Sequence, residues 1–335
     1  MIIMERNATN EQIKRVIDEI LRCGLRVDVS RGEFRTIIGL IGDEKRVSFD
    51  HLAGLPGVKE VQPVESKYKL VSREYHPDNR IIKVGDVVIG GGEPVFIAGP
   101  CAIEGREQML KTAEEAKGAG ANILRGGAFK PRSSVHSFQG LHEEGLKYLA
   151  EAGEKFNMPT ITEVRGEGQV ELVAQYVDIL QIGARNMYNQ DLLEAVAKMG
   201  KPVLLKRNFG AGIEEFLCFA EYIVAQGNKD IILCERGLVP IGKGKEYTRY
   251  MLDLSAVPVL KKETYLPVFA DPSHGTGRRD LVEPMSRAAI AAGADGLMIE
   301  THCNPQEALC DSQQMVMADE LKRIIDICMK IRKIM

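Results

Sequence analysis

Residues 124–134 read LRGGAFKPRSS and place three cations and two hydroxyls within ten residues. Arg125 ends an apolar run, two glycines follow, and Lys130, Arg132, Ser133 and Ser134 close the segment. Glycines let a ligand approach the main chain. Arginine forks and a lysine point charge suit phosphate and carboxylate oxygens. This loop is expected to hold a small, highly anionic substrate. Further cations, Arg185, Lys206 and Arg236, each stand just after another short apolar run. Together the six would hold two phosphates, or a phosphate and a carboxylate. A second set mixes a thiol, an imidazole and two carboxylates: Cys101, His274, Glu300 and Asp311. Such donors suit a divalent transition metal such as Mn, Fe, Co or Zn. Beside the cations, that metal would activate a carbonyl while phosphorylated reactants are held for carbon–carbon bond formation. A rival chemistry is a Schiff-base aldolase on Lys206.

These groups need a scaffold that brings them together. From residue 95 the chain alternates short apolar runs with amphipathic stretches. The runs are Val95–Ala98, Ala121–Leu124, Thr160–Thr162, Asp178–Ile182, Pro202–Leu205, Asp230–Leu233, Leu266–Ala270 and Gly296–Ile299. Between most of them lie helical patterns such as Gln108–Lys117, Glu143–Lys155, Ile213–Ala225 and Leu281–Ala291. Eight βα units in about 240 residues match a TIM barrel, whose strand ends carry the active site. A doubly wound open sheet is the alternative, but no dinucleotide fingerprint accompanies it. At the strand ends stand Cys101, Arg125, Glu163, Arg185, Lys206, Arg236, His274 and Glu300, with Asp311 in the following loop. In a closed barrel, strands one, seven and eight are neighbours, which would unite the metal set.

Residues 1–64 read as a separate βαββαβ unit, the ferredoxin-like order. Met1–Glu5 is expected as a strand, and Thr9 with Gln12 forms a capping-box pattern. Ile13, Val16, Ile17, Ile20 and Leu21 then recur at helical spacing, and Gly24 ends the helix. Strands Leu25–Val29 and Phe34–Ile41 follow, with Arg31 and Gly32 at their turn, then a short helix near His51–Leu55 and a strand Val58–Val61. No cluster of catalytic residue types lies here, so a regulatory or assembly role is expected. Residues 65–94 read as a linker and a hairpin, Ile81–Val84 and Val87–Ile89 around Gly85-Asp86, placed to plug the barrel's base. Residues 95–335 form the catalytic barrel.

With 335 residues, 44% of them hydrophobic, the chain can bury a large core. A net charge of −3 gives no global basic field for nucleic acid. No apolar run approaches the ~20 residues that span a bilayer, and no signal-peptide pattern opens the chain. Seven cysteines without close pairing motifs point to a reducing, cytoplasmic setting.

At these same residues the chain resembles the DAHP synthases, which join phosphoenolpyruvate to erythrose 4-phosphate at the entry to aromatic amino-acid synthesis, the shikimate pathway. The matching pieces are AGPCAIE at 98–104, LRGGAFKPRSS, FQGL at 138–141, QIGARN at 181–186, LLKR at 204–207, CERG at 234–237, DLSAVP at 253–258, DPSHGTGRRD at 271–280 and EALCDSQQ at 307–314. They cover the whole barrel in order. The resemblance implies that Arg125, Lys130, Arg185, Lys206 and Arg236 hold phosphoenolpyruvate, and that Arg132, Ser133 and Ser134 hold the sugar phosphate. Cys101, His274, Glu300 and Asp311 would bind the metal. Lys130 would protonate the nascent alkoxide, and Glu163 would orient the attacking water. The N-terminal unit is similar to the regulatory extension of one subgroup, in which Tyr or Phe inhibits; a homotetramer is implied. Two departures stand out. Ser133 replaces the family's usual Thr, and residues 237–252, GLVPIGKGKEYTRYML, differ from the usual loop. The closest alternative is the KDO8P synthase reaction with arabinose 5-phosphate, but relatives of that kind usually carry Asn where Pro131 stands.

Overall fold

The computed structural model describes residues 1–335 except 33–34, 43–45, 63–66, 131–135 and 241–246. It divides into two compact units: Met1–Asn79 with Lys262–Tyr265, and Arg80–Lys261 with Leu266–Met335.

The first unit starts with β1 (Ile2–Met4) and α1 (Asn10–Arg22). It continues with β2 (Arg26–Arg31), β3 (Thr36–Ile41), α2 (Phe49–Ala53) and β4 (Val58–Val61). The strands form an antiparallel sheet in the order β2-β3-β1-β4, as the βαββαβ pattern requires. Thr9 caps α1, and its capping box with Gln12 is complete. Ile13, Val16 and Ile20 point into the core, whereas Leu21, expected on the same face, is exposed. Ile2, Ile38 and Leu40 meet these helices on one side of the sheet. On the other side Tyr75 packs on Ile3 and Ile37. Gly39 makes this possible, because a Cβ there would lie 1.8 Å from the Tyr75 ring. The expected start of the third strand at Phe34 lies outside the described residues.

The second unit opens with the hairpin β5 (Ile82–Val84) and β6 (Val87–Ile89). Eight parallel strands then close a barrel: β7 (Val95–Gly99), β8 (Ile123–Arg125), β9 (Thr160–Val164), β10 (Ile179–Ile182), β11 (Val203–Lys206), β12 (Ile231–Glu235), β13 (Val268–Ala270) and β14 (Gly296–Glu300). β14 pairs with β7, placing Glu300 opposite Gly99 and closing the cylinder. Both faces of each strand are buried, which explains why they read as continuous apolar runs. Ile97, Ile123, Ile161, Ile179, Leu204, Ile232, Phe269 and Met298 fill the interior together with Ile82, Val84 and Ile89 of the hairpin. The hairpin turn at Gly85 sits by Pro159, just before β9, so it plugs the N-terminal mouth. The β-branched run TITEV carries β9 past its expected end, which places Glu163 within the strand.

Around the barrel run α3 (Arg106–Ala119), α4 (His142–Phe156), α5 (Val170–Tyr176), α6 (Gln190–Lys198), α7 (Ile213–Ala225), α8 (Ala256–Glu263), α9 (Pro272–Thr276), α10 (Arg279–Ala291) and α11 (Ala318–Ile334). Among the described residues, no helix is long and apolar enough to cross a membrane.

Candidate active site

Three site residues end their strands: Arg125 in β8, Lys206 in β11 and Glu300 in β14. Arg236 follows Glu235 at the end of β12, and Arg185 lies in a single 3-10 turn after β10. Because the strands are parallel, all of these reach the C-terminal rim. There a cavity of about 170 Å³ is lined by Lys130, Glu163, Arg185, Lys206, Arg236, His274 and Asp311, among others. Residues expected to hold an anion and residues expected to hold a metal therefore share one mouth. Arg132, Ser133 and Ser134 lie outside the described residues.

The cations are better compensated than residue types alone implied. Arg125 donates to Glu300 Oε1 at 2.5 Å, and Lys206 Nζ to Asp271 Oδ2 at 2.6 Å. Lys130 Nζ donates to the Cys101 carbonyl at 2.7 Å and lies 3.0 Å from Cys101 Sγ. Cations meeting without a ligand would repel, but among the five described here Arg125, Lys130 and Lys206 carry internal partners. Arg236 differs: its buried Nη1 has no partner among the described residues, while its guanidinium lies 4.2 Å from the Tyr250 ring. A buried donor left unpaired is costly, so an anion is the natural complement there.

Sγ of Cys101 and carboxylate oxygens of Glu300 and Asp311 lie within 4.8 Å of one another. His274 stands outside that tight group and meets it through Glu300, with Nε2 3.3 Å from Oε1. Its orientation is set by Asp271, the N-cap of α9. Asp271 Oδ1 accepts from the His274 backbone at 2.9 Å, and Oδ2 accepts Nδ1–H at 2.7 Å. That leaves Nε2 as an acceptor facing a carboxylate oxygen, a contact that only a cation or a proton bridges. A carboxylate behind a ligating imidazole is a usual support of metal sites. Thiol, imidazole and two carboxylates around such an opposed pair fit a divalent transition metal.

Charge states follow from these contacts. Burial lowers the affinity of the His274 ring for a second proton, and Asp271 and Glu300 offset this only in part, so the ring is neutral over a wider range than usual. Burial opposes ionisation of Glu300, but His274, Arg125 and Lys130 outweigh it and hold the carboxyl well below its usual value. Asp271 is depressed in the same way by His274 and Lys206. The neighbouring Cys310 thiol, burial and the Glu300 charge push the Cys101 thiol up, so it stays protonated until a cation replaces its proton. Burial disfavours the Lys130 charge, yet Cys101 and Cys310 raise its affinity overall, keeping it an ammonium.

The barrel and rim together decide the family. A model of the DAHP synthetase I family matches residues 65–335. The chain belongs to that family. Its first residues, 1–66, match the DAHP synthase ferredoxin-like domain. It is thus a transferase of the DAHP synthase type. A phospho-2-dehydro-3-deoxyheptonate aldolase from Thermotoga maritima is 47% identical over 333 residues, covering 97% of this chain and 98% of that one. A 2-dehydro-3-deoxyphosphooctonate aldolase from Desulfosudis oleivorans is 34% identical over 75% of this chain and 95% of its own length. The crystal structure of the Thermotoga maritima DAHP synthase superposes with a TM-score of 0.77, covering 97% of this chain and 94% of that one at 48% identity.

Several residues of this site were given no role by the reading of the sequence. Asp271 orients His274 and neutralises Lys206; its spacing three before His274, with Pro272 between, was a helix-cap signal. Gln314 Nε2 donates to Glu300 Oε2 at 2.5 Å from a fully buried position inside the EALCDSQQ motif. Arg249 and Tyr250 line the cleft from the 237–252 segment, where no local pattern marked them. Gly127 is also specific. A Cβ there would lie 2.4 Å from the Cys101 carbonyl oxygen and 2.9 Å from Lys130 Cδ. Gly127→Ala is therefore expected to displace Lys130 and to cost about 1–3 kcal/mol of stability through overpacking. Steady-state kinetics and thermal unfolding read both effects; wild-type kcat in a correctly folded variant rejects this role.

Proposed function

We propose that this enzyme condenses phosphoenolpyruvate with D-erythrose 4-phosphate and water, giving 3-deoxy-D-arabino-heptulosonate 7-phosphate and phosphate. This reaction opens the shikimate pathway. The carrying observation is the rim cavity where cations and a metal-ready set meet. Lys130, Arg185, Lys206 and Arg236 hold the phosphate and carboxylate of phosphoenolpyruvate. Arg125, paired with Glu300, holds it with them. Arg132, Ser133 and Ser134 hold the sugar phosphate. Cys101, His274, Glu300 and Asp311 hold a divalent metal, Mn, Fe, Co or Zn, which when bound supplies Lewis-acid polarisation of the aldehyde.

The enol carbon attacks the held aldehyde. Lys130 Nζ, an ammonium at the metal-set edge, gives its proton to the forming alkoxide. Glu163, held by Gln181 at 3.2 Å, orients the water that adds to the cationic carbon, and the proton this water sheds restores the Lys130 ammonium. Gly183 leaves room for that carboxylate, since a Cβ there would lie 2.2 Å from Glu163 Oε1. Collapse of the adduct expels phosphate against Arg185 and Arg236. Residues 1–64 act as the regulatory unit, residues 65–94 as linker and base hairpin, and residues 95–335 as the catalytic barrel. Tyr or Phe inhibits through the first of these, and the assembly is a cytoplasmic homotetramer.

One assay tests the core of this reading. Phosphate release is measured with erythrose 4-phosphate or arabinose 5-phosphate, with and without chelator, and with Tyr or Phe. Faster turnover of the tetrose, loss on chelation and recovery with a divalent metal are expected. Preference for the pentose assigns the KDO8P reaction instead. Activity indifferent to chelator, with inactivation by borohydride in the presence of substrate, assigns Schiff-base chemistry on Lys206. No response to either amino acid removes the regulatory assignment.

A further inference from the structure

Residues 249–251 are seated by backbone hydrogen bonds. Arg249 N donates to Thr276 O at 2.8 Å, and Tyr250 N to Gly275 O at 3.1 Å. Leu238 and Met251 exchange both backbone hydrogen bonds at 2.9 Å. Two left-handed glycines form the sockets. A Cβ on Gly277 (φ 68°) would lie 2.5 Å from Arg249 Cβ, and one on Gly237 (φ 95°) 2.7 Å from Tyr250 Cβ. Any side chain at either position would dislodge the strap that carries Arg249.

From this seat Arg249 stands at a junction. The inner cavity of about 170 Å³ and an outer chamber of about 550 Å³ share Phe209, Arg249 and Tyr250 as lining. The outer chamber adds Tyr247, Arg278 and Gln313. Phe209 and Tyr250 stack at 5.7 Å and form one wall of the passage. Arg249 Nη1 lies 3.4 Å from Asp311 Oδ1 and 3.4 Å from Gln314 Oε1. Both contacts are long, so most of the five guanidinium donors are uncommitted among the described residues.

Space dictates where the second reactant goes. At about 170 Å³ the inner cavity is smaller than the roughly 300–1,000 Å³ of sites that take a drug-sized ligand, so it does not hold two phosphorylated reactants. The aldehyde carbon must reach the enol carbon beside Cys101, His274, Glu300 and Asp311. Its phosphorylated tail must then leave past Asp311, and the passage there is lined by Arg249. We infer that Arg249 is a specificity-determining residue that binds the phosphorylated tail of the second substrate, a short aldose phosphate, where it spans the two chambers. This rests on the condensation proposed above and adds a cation to the grip assigned to Arg132, Ser133 and Ser134.

The test crosses enzyme against substrate. In the metal-loaded full-length enzyme, kcat/KM is measured for erythrose 4-phosphate and for unphosphorylated erythrose, in wild type, Arg249→Leu and Arg249→Lys. Removing a charge-assisted contact is expected to cut the preference for the phosphorylated aldehyde by about 10–100-fold in Arg249→Leu. Arg249→Lys should retain part of the preference, and KM for phosphoenolpyruvate should stay within about twofold of wild type, as for a contact made to the other reactant alone. An unchanged preference, or a loss confined to phosphoenolpyruvate, overturns the inference while leaving the condensation standing. No product from wild type with either aldehyde removes the condensation and this inference together. If the leucine variant fails to fold, Arg249→Gln keeps the polar stem and decides by the same ratio.

Discussion

Glu300→Gln is expected to abolish catalysis and to weaken the fold at once. Both Glu300 oxygens are engaged: Oε1 accepts from Arg125 and faces His274 Nε2, and Oε2 accepts from Gln314. The neutral amide leaves the fully enclosed Arg125 guanidinium without its counter-charge. Breaking a buried pair in this way costs about 3–5 kcal/mol. Thermal unfolding of the metal-free protein reads that loss. A titration with Mn(II) should show affinity reduced by more than the ~10–100-fold that follows loss of an outer partner. The pH dependence has a definite sign. The folded carboxyl ionises well below its unfolded value, near 4.5, so its contribution to stability is complete above that pH. It is lost as pH falls towards the folded value. Wild type should therefore lose stability in acid more steeply than Glu300→Gln. Equal acid profiles, with unaltered Mn(II) affinity, would contradict the role assigned to this carboxylate.

Lys130 carries the second large effect. Its ammonium is enclosed, held to the Cys101 carbonyl at 2.7 Å and kept protonated by Cys101 and Cys310. Lys130→Met removes both the proton and a cation of the anion pocket, so kcat should fall by about 10²–10⁴-fold while phosphoenolpyruvate binding weakens. Lys130→Arg separates the two functions. A guanidinium keeps the charge but does not give up its proton in proteins. The arginine variant should bind phosphoenolpyruvate more tightly than the methionine variant yet remain as slow in turnover. Binding is read by calorimetry and turnover by phosphate release. If Lys130→Arg turns over at the wild-type rate, proton donation by Lys130 is wrong.

The identities and positions of most reactive groups were legible because they follow local rules. Parallel strands buried on both faces must be short apolar runs, and in a barrel their last residues must point to the active rim. Arg125, Lys206 and Glu300 end β8, β11 and β14 for that reason. Thr9 and Gln12 announced the start of α1 through a cap made within one turn. The hairpin at Gly85-Asp86 was visible from turn chemistry alone.

What pairs with what was decided only by the closed barrel. Glu300 and Arg125 lie 175 positions apart in the chain, and Lys206 and Asp271 lie 65 apart. No periodicity or spacing reports which cation receives an internal counter-charge and which, like Arg236, has a buried donor without a partner among the described residues. The same holds for Arg249. Its side chain enters the cleft because Gly237 and Gly277, far from each other in sequence, leave room for the strap that carries it. Residue types therefore stated what chemistry was available. Steric and electrostatic contacts between distant segments, which exist only once the sheet has closed, stated where each charge is spent and how wide the passage for a second reactant is.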